Sequence, residues 1–136
     1  MTSVTRTSEF VTDTVGLVLR IERRKLGPAA KSIFESVESG KATAYIPALV
    51  FAEILYLSEK KRISTSLSEV GDYLDQFPNY KEYAMSLAVI QTAAQISDIP
   101  ELHDRLIAAT ARLLDLALIT NDHTIRASTF VRTVWD

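Results

Sequence analysis

Four carboxylates carry the chemistry open to this sequence. Asp13 closes the stretch "EFVT", Glu53 sits inside the apolar run "YIPALVFAEILYL", Asp104 lies in "LHDRLIAATA", and Asp122 follows "LALIT". Glu53 is the most unusual, because a carboxylate among apolar neighbours carries a desolvation penalty unless a cation or donors offset it. Taken singly, each acid has an ordinary explanation: Asp13 as a turn former, Asp104 as a charge favoured at a helix start, Asp122 as the N-cap of "HTIRAS", Glu53 as an arginine's partner. Taken together they are more specific. Two unit charges at ~4 Å repel by about 4 kcal/mol at an effective dielectric of about 20, so four converging acids need a cation. The chain has no cysteine and no clear histidine pair, and oxygen ligands alone suit Mg2+ or Mn2+ rather than zinc. His103 and His123 neighbour two of the acids and read as surface or supporting residues. A divalent ion at such a site stabilises charge developing on a phosphate and activates water, which is the chemistry of phosphodiester hydrolysis.

The elements that must position these acids alternate. "EFVTDT" reads as a short strand ending near Asp13. Helical spacing follows through Val15, Val18, Leu19 and Arg23 and stops at "LGP". "PAAKSIFESVESG" is a helix with Pro28 at its start and Gly40 just past its end. "ATAYI" is a second strand, and Pro47 opens a helix through "ALVFAEILYLSEKKR". "TSLSEVGDYLDQF" is a helix capped by Thr65 or Ser66, and "YKEYA" is a short strand. "SLAVIQTAAQI" and "PELHDRLIAATARLLD" are helices, the second beginning at Pro100. "LALIT" is a strand, "NDHTIRAS" a turn and half-helix, and "VRTVW" the last strand. Such alternation predicts a parallel sheet covered on both faces. Sites in these sheets form beyond the C-terminal strand ends, which selects Asp13 and Asp122.

Composition sets outer limits. One domain over 1–136 is expected from 136 residues, with 47% hydrophobic and 24% charged content pointing to a globular chain. The lack of cysteine suits a reducing, cytoplasmic setting. "MTSVTRTSEF" lacks the apolar core of a signal peptide, and no run approaches the ~20 apolar residues of a membrane span. The formal charge of −2 argues against a surface coated for nucleic acid. Setting the four acids aside as metal ligands reverses the balance, leaving two more cations than anions. Arg20, Arg23, Arg24 and Lys25 form one basic cluster and Lys60 to Arg62 another. Their ordinary reading is a solvated helix end, and the functional one is that one of them follows a phosphate backbone.

The blocks "FVTDT", "FAEILYLSEKKRI", "HDRLIAATARLLDLALITND" and "VRTVW" resemble, in order and over almost the whole chain, the PIN-domain ribonucleases, especially the VapC-like toxins. The third block is the most specific: an acid opening a helix, Ala108 and Ala109 four and five residues later, then a strand ending in Thr-x-Asp. The resemblance implies a three-layer α/β/α fold around a mainly parallel sheet of four to five strands. It implies that Asp13, Glu53, Asp104 and Asp122 form a metal site that cleaves RNA with Mg2+ or Mn2+, with Thr120 as a supporting hydrogen-bonding residue. It also implies a homodimer and a co-expressed antitoxin partner. Val15 departs from the pattern, since the family commonly has a polar residue two places after its first acid. That departure leaves an alternative of another class, a PIN-like scaffold that binds RNA or a protein without cleaving.

Other catalytic patterns are missing. A haloacid-dehalogenase-type phosphatase needs Asp-x-Asp after its first strand, and position 15 is Val. A receiver domain needs a late lysine, and none follows Lys81. No GxGxxG or Walker-type lysine loop is present. Two helices carry more apolar residues than one sheet-facing stripe requires: Ile54, Leu55, Tyr56 and Leu57, then Leu67, Val70, Leu74 and Phe77. An apolar groove or dimer face between them is the expectation.

Overall fold

The computed structural model describes residues 8–136. Residues 1–7 of the N-terminal stretch discussed above lie outside the described residues. The chain runs β1 (Ser8–Thr12), α1 (Thr14–Ile21), α2 (Pro28–Glu38), β2 (Ala42–Pro47), α3 (Ala48–Glu59), α4 (Leu67–Gln76), β3 (Tyr80–Tyr83), α5 (Leu87–Gln95), α6 (Leu102–Leu114), β4 (Ala117–Ile119), α7 (His123–Arg126) and β5 (Thr133–Val134). The sheet has five strands in the order β3-β2-β1-β4-β5, and every pair is parallel. Right-handed crossovers put α1 to α4 on one face and α5 with α6 on the other, which yields the expected three layers. The direction of winding reverses between β1 and β4. That gap is the switch point where connections diverge and a site forms.

Val11, Ile46, Leu118 and Ile119 of the sheet are inaccessible to solvent, as are Leu17, Phe34 and Ile54 from the helices above them. On the opposite face Ala108, Ala109 and Ala111 are equally buried. Their small side chains bring α6 close to β1 and β4 and so set where its first turn, with Asp104, arrives. The closing segment locks the start of α2. The Trp135 carbonyl accepts from the Ala30 amide at 3.0 Å, and a Cβ added at Gly27 would stand 2.2 Å from the same oxygen.

Three local outcomes differ from the sequence reading, each for a physical reason. The helix α6 begins at Leu102 rather than Pro100, because the Glu101 carboxylate accepts from the Asp104 amide at 2.8 Å and fixes the cap. The helix α1 stops at Ile21, where Arg23 takes a left-handed φ of 55° and the Arg24 amide folds back to the Leu19 carbonyl. Arg23 to Lys25 therefore sit on a loop. The alternatives for the α4 cap resolve to Ser66, whose side chain forms a full capping box with Glu69.

Two half-buried clamps join the helices on the α1 side. Glu38 accepts from Arg20 at 2.6 and 2.9 Å and from the Tyr73 and Tyr80 hydroxyls. Glu22 accepts from the Ser64 amide and from both the amide and hydroxyl of Thr65, which ties the α3–α4 loop to the end of α1. No helix among the described residues is long and apolar enough to cross a membrane.

Candidate active site

The end of β1, the second turn of α3, the first turn of α6 and the exit of β4 meet at the switch point. Asp13, Glu53, Asp104 and Asp122 line one cleft of about 180 Å³ there, together with Thr14, Val15 and Asn121. Two of these acids, Asp13 and Asp122, are held by the backbone that presents them. Asp13 is the N-cap of α1 and accepts from the Gly16 amide at 2.8 Å. Gly16 is needed at that point, since a Cβ there would lie 3.0 Å from Asp13 Oδ1 and 3.1 Å from Thr12 Oγ1. Asp122 caps α7 and accepts from the Ile125 amide at 3.0 Å, while its own amide donates to the Thr120 hydroxyl at 3.1 Å. Glu53 accepts from the Thr14 hydroxyl, so its partner within the protein is a threonine and no arginine pairs with it among the described residues. Val50 and Ile54, both fully buried, anchor the helix that carries it. Asp122 thus both caps a helix, as its sequence position suggested, and lines the cleft, while Asp13, read as a turn former, is the N-cap of α1 and lines it too.

The electrostatics are those of acids crowded without a counter-charge. Burial pushes Asp13 up from 3.8 to about 6; the Thr120 hydroxyl and the Gly16 amide pull it down, and the charges of Asp122 and Asp104 add to the rise. Burial and then the charges of Asp122, Glu101 and Glu53 likewise raise Asp104 to about 6, with partial relief from His103. Elevated values shared by neighbouring carboxylates mark a site that gains by binding a cation.

The donor chemistry fits an oxygen-liganded divalent ion, because the cleft offers four carboxylates and no sulfur. Among the described residues, however, no three acids or histidines stand ready as a metal cage. Asp13, Glu53 and Asp122 each have one oxygen engaged by an amide or hydroxyl. His103 is turned to Glu101 at 3.0 Å rather than to the cleft.

A profile of the PIN domain matches residues 11–130. The chain belongs to the PIN domain family. Members of that family are in general nucleases. Among solved structures the PIN fold seen here is similar to VapBC2 from Rickettsia felis bound to a promoter DNA fragment, with a TM-score of 0.72, 19% identity, and 94% of this chain and 99% of the other covered. DNA-bound VapBC from Salmonella typhimurium gives 0.68 at 16% identity, covering 94% and 98%. A toxin-antitoxin complex from Klebsiella pneumoniae gives 0.62 at 20% identity, covering 89% and 93%. At these identities the likeness is one of fold. None of the curated proteins matches the sequence.

Sequence reasoning about this PIN domain overlooked Thr14 and Asn121. Thr14 belongs to the block "FVTDT", but its hydroxyl bonds a residue 39 positions away, and no local pattern reports that contact. Thr120, expected as support, lies fully buried with its hydroxyl engaged by the Asp122 amide and directed at Asp13. Val15, the departure from the family pattern, sits at the cleft mouth and is 48% exposed. The four cations named for substrate binding separate into two groups. Arg20 is held by Glu38 with a side chain only 11% exposed, whereas Arg23, Arg24 and Lys25 face solvent. The apolar excess on α3 and α4 is mostly absorbed: Ile54 and Val70 are buried, Leu74 and Phe77 pack on the core, and Leu55, Tyr56 and Leu67 remain exposed. A second exposed set, Met85, Leu87 and Ile90, lies at and before α5.

Proposed function

We propose that this PIN domain is a metal-dependent endoribonuclease of the VapC toxin type, with Asp13, Glu53, Asp104 and Asp122 as its Mg2+- or Mn2+-binding and catalytic residues. The observation that carries this reading is the meeting of those four acids in one cleft at the switch point, two of them raised to about 6. When bound, the ion supplies charge neutralisation for the phosphate and a more acidic water. The chain's own groups orient the acids that hold it. The Gly16 amide fixes Asp13, the Ile125 amide fixes Asp122, and the Thr14 hydroxyl fixes Glu53. Thr120 joins the two strand ends by accepting from Asp122 and facing Asp13. The solvent-facing Arg23, Arg24 and Lys25 contact the RNA substrate in this reading.

The partners follow from the same reading. A relative of the same fold is a toxin-antitoxin complex, and here an antitoxin protein and a second copy of the chain are the proposed partners, using the apolar residues left exposed on α3, α4 and α5. The setting is cytoplasmic. Incubating the purified protein with end-labelled single-stranded RNA, in Mg2+, Mn2+ or EDTA, tests the activity. Metal-dependent internal cleavage that Asp104→Asn abolishes is the expected result. Cleavage by Asp104→Asn at the normal rate overturns the site assignment.

One observation favours a second reading. The acids do not form a ready cage among the described residues, and Val15 puts a methyl group where a polar side chain would help to hold ion or water. A binding scaffold without cleavage fits that arrangement. Calorimetric titration with Mn2+ separates the two: saturable binding at the cleft supports the nuclease, and no heat at millimolar ion with the fold intact supports the scaffold.

A further inference from the structure

Beyond the acids, the molecule has a second charged recess of opposite sign. It lies where α1 gives way to the loop and the first turn of α2, has a volume of about 340 Å³, and is lined by Arg20, Arg23, Arg24, Lys25, Leu26 and Lys31. Five cations meet only two carboxylates there. Glu38 takes Arg20 and, at 3.7 Å, Arg23, and Glu22 meets Arg24 at 3.4 Å while its other oxygen holds the α3–α4 loop. Lys25 and Lys31 form no ion pair among the described residues and are exposed. In a chain of formal charge −2, this is a local excess of positive charge.

The recess is connected to the acid cleft. Between them runs a notch of about 190 Å³ walled by Val15, Val18, Leu19, Leu57 and Ile63. The notch shares Thr14, Val15 and Leu57 with the acid cleft and Arg24 with the basic recess. The eight residues of α1 separate the two ends by about 12 Å. A stacked strand rising about 3.4 Å per nucleotide covers that span in three or four nucleotides. The apolar walls suit the face of a base, and the two ends suit phosphates: one held through a cation at the acids, the other held directly by lysine and arginine.

We infer that the Arg24–Lys25–Lys31 recess is a phosphate anchor for single-stranded RNA, gripping the backbone three or four nucleotides from the phosphate placed at the acid cleft. The inference rests on the ribonuclease reading for the identity of the strand. The anchor makes productive binding depend on substrate length, and it assigns Lys31, a residue of α2, to a site otherwise built from α1 and its loop.

The test uses the Asp104→Asn protein, which does not cut its ligand. Binding of a labelled dodecaribonucleotide and of a trinucleotide is followed by fluorescence anisotropy over a salt series, with and without the added pair Lys25→Gln and Lys31→Gln. The pair is expected to weaken dodecamer binding about tenfold at low salt and to flatten the plot of log Kd against log salt by about 1.4, or ~0.7 for each lost contact. Trinucleotide binding stays the same. Trp135 emission checks that both proteins are folded. Equal slopes, or no dodecamer binding, overturn the anchor, as does an oligoglutamate peptide that binds through the two lysines when RNA does not. Cleavage by the otherwise wild-type protein is scored separately. If it cuts RNA and the slopes are equal, only the anchor falls. If it cuts nothing and the slopes differ, the anchor stands as a strand-binding site and the nuclease reading falls.

Discussion

Replacing Asp104 by Asn should make the metal-free protein more stable, and the size of the gain follows from the site. The carboxyl titrates at about 6 in the folded chain against 3.8 for an unperturbed group. At about 1.4 kcal/mol per pH unit, the charge would oppose folding at neutral pH by at most about 3 kcal/mol. Asp104 is partly open to solvent, and screening lowers the expected gain to about 1–2 kcal/mol. The folded-state value is raised, so the folded state holds the proton more tightly than the unfolded chain does. The penalty is therefore present above pH 6 and fades as pH falls through 6 toward 4. The Asp104 carboxylate accepts no hydrogen bond among the described residues, so Asn forfeits none of its side-chain acceptor contacts. Urea unfolding in EDTA, read from the single Trp135, which is 9% exposed, measures the difference. At neutral pH the variant should gain about 1–2 kcal/mol, or about 3–6 °C in Tm, and near pH 4 the two proteins should coincide. Added Mg2+ should stabilise the original chain more than the variant. A variant less stable than the original in EDTA at neutral pH refutes the account of repelling acids.

Thr14→Val removes the only protein donor to Glu53 among the described hydrogen bonds; it should cost about 1–2 kcal/mol and shift the Mg2+ midpoint of RNA cleavage upward, checked by metal titration of the rate. Glu38→Gln leaves Arg20 buried without its anion and should destabilise the fold by about 3 kcal/mol at neutral pH, measured by urea unfolding. Burial alone would raise Glu38, but the bonds from Arg20, Tyr73 and Tyr80 outweigh it and hold the group at about 2. Its contribution is therefore complete above about pH 4.5 and is lost as pH falls toward 2, so acid unfolding of the Gln variant should be less steep. Gly27→Ala drives a methyl group into the Trp135 carbonyl at 2.2 Å; a fall in stability of about 2 kcal/mol or more by thermal melting is expected.

How much of this could be read from the sequence depended on the range of the interaction. The acids at strand ends were legible because an apolar run followed by a polar turn is a local signal, and the alternation of elements then put Asp13 and Asp122 at the same edge. The apolar surroundings of Glu53 showed that it needed a partner, yet the partner, Thr14, was invisible because 39 residues separate them. The same holds for the cations. As a run, Arg20 to Lys25 looked like one cluster, but Glu38, 18 residues on, ties Arg20 into a half-buried ion pair. Lys31 joins the recess only because α2 folds back beside α1. The apolar excess of α3 and α4 was counted correctly, and most of it is spent on packing between helices that one-dimensional periodicity cannot assign.

The central place of β1 also governs when the cleft can exist. During synthesis Asp13 emerges well before β4, yet β1 pairs on one side with β4, Phe10 standing against Ala117 and Thr12 against Ile119. Asp104 and Asp122 arrive only with that late segment. At cellular elongation rates the interval from Asp13 to Asp122 is roughly 5–20 s, during which the nascent chain holds one edge of the cleft and lacks the other. A translation product that stops short of β4 therefore lacks Asp122 and the strand that pairs with β1, and it cannot assemble the cleft.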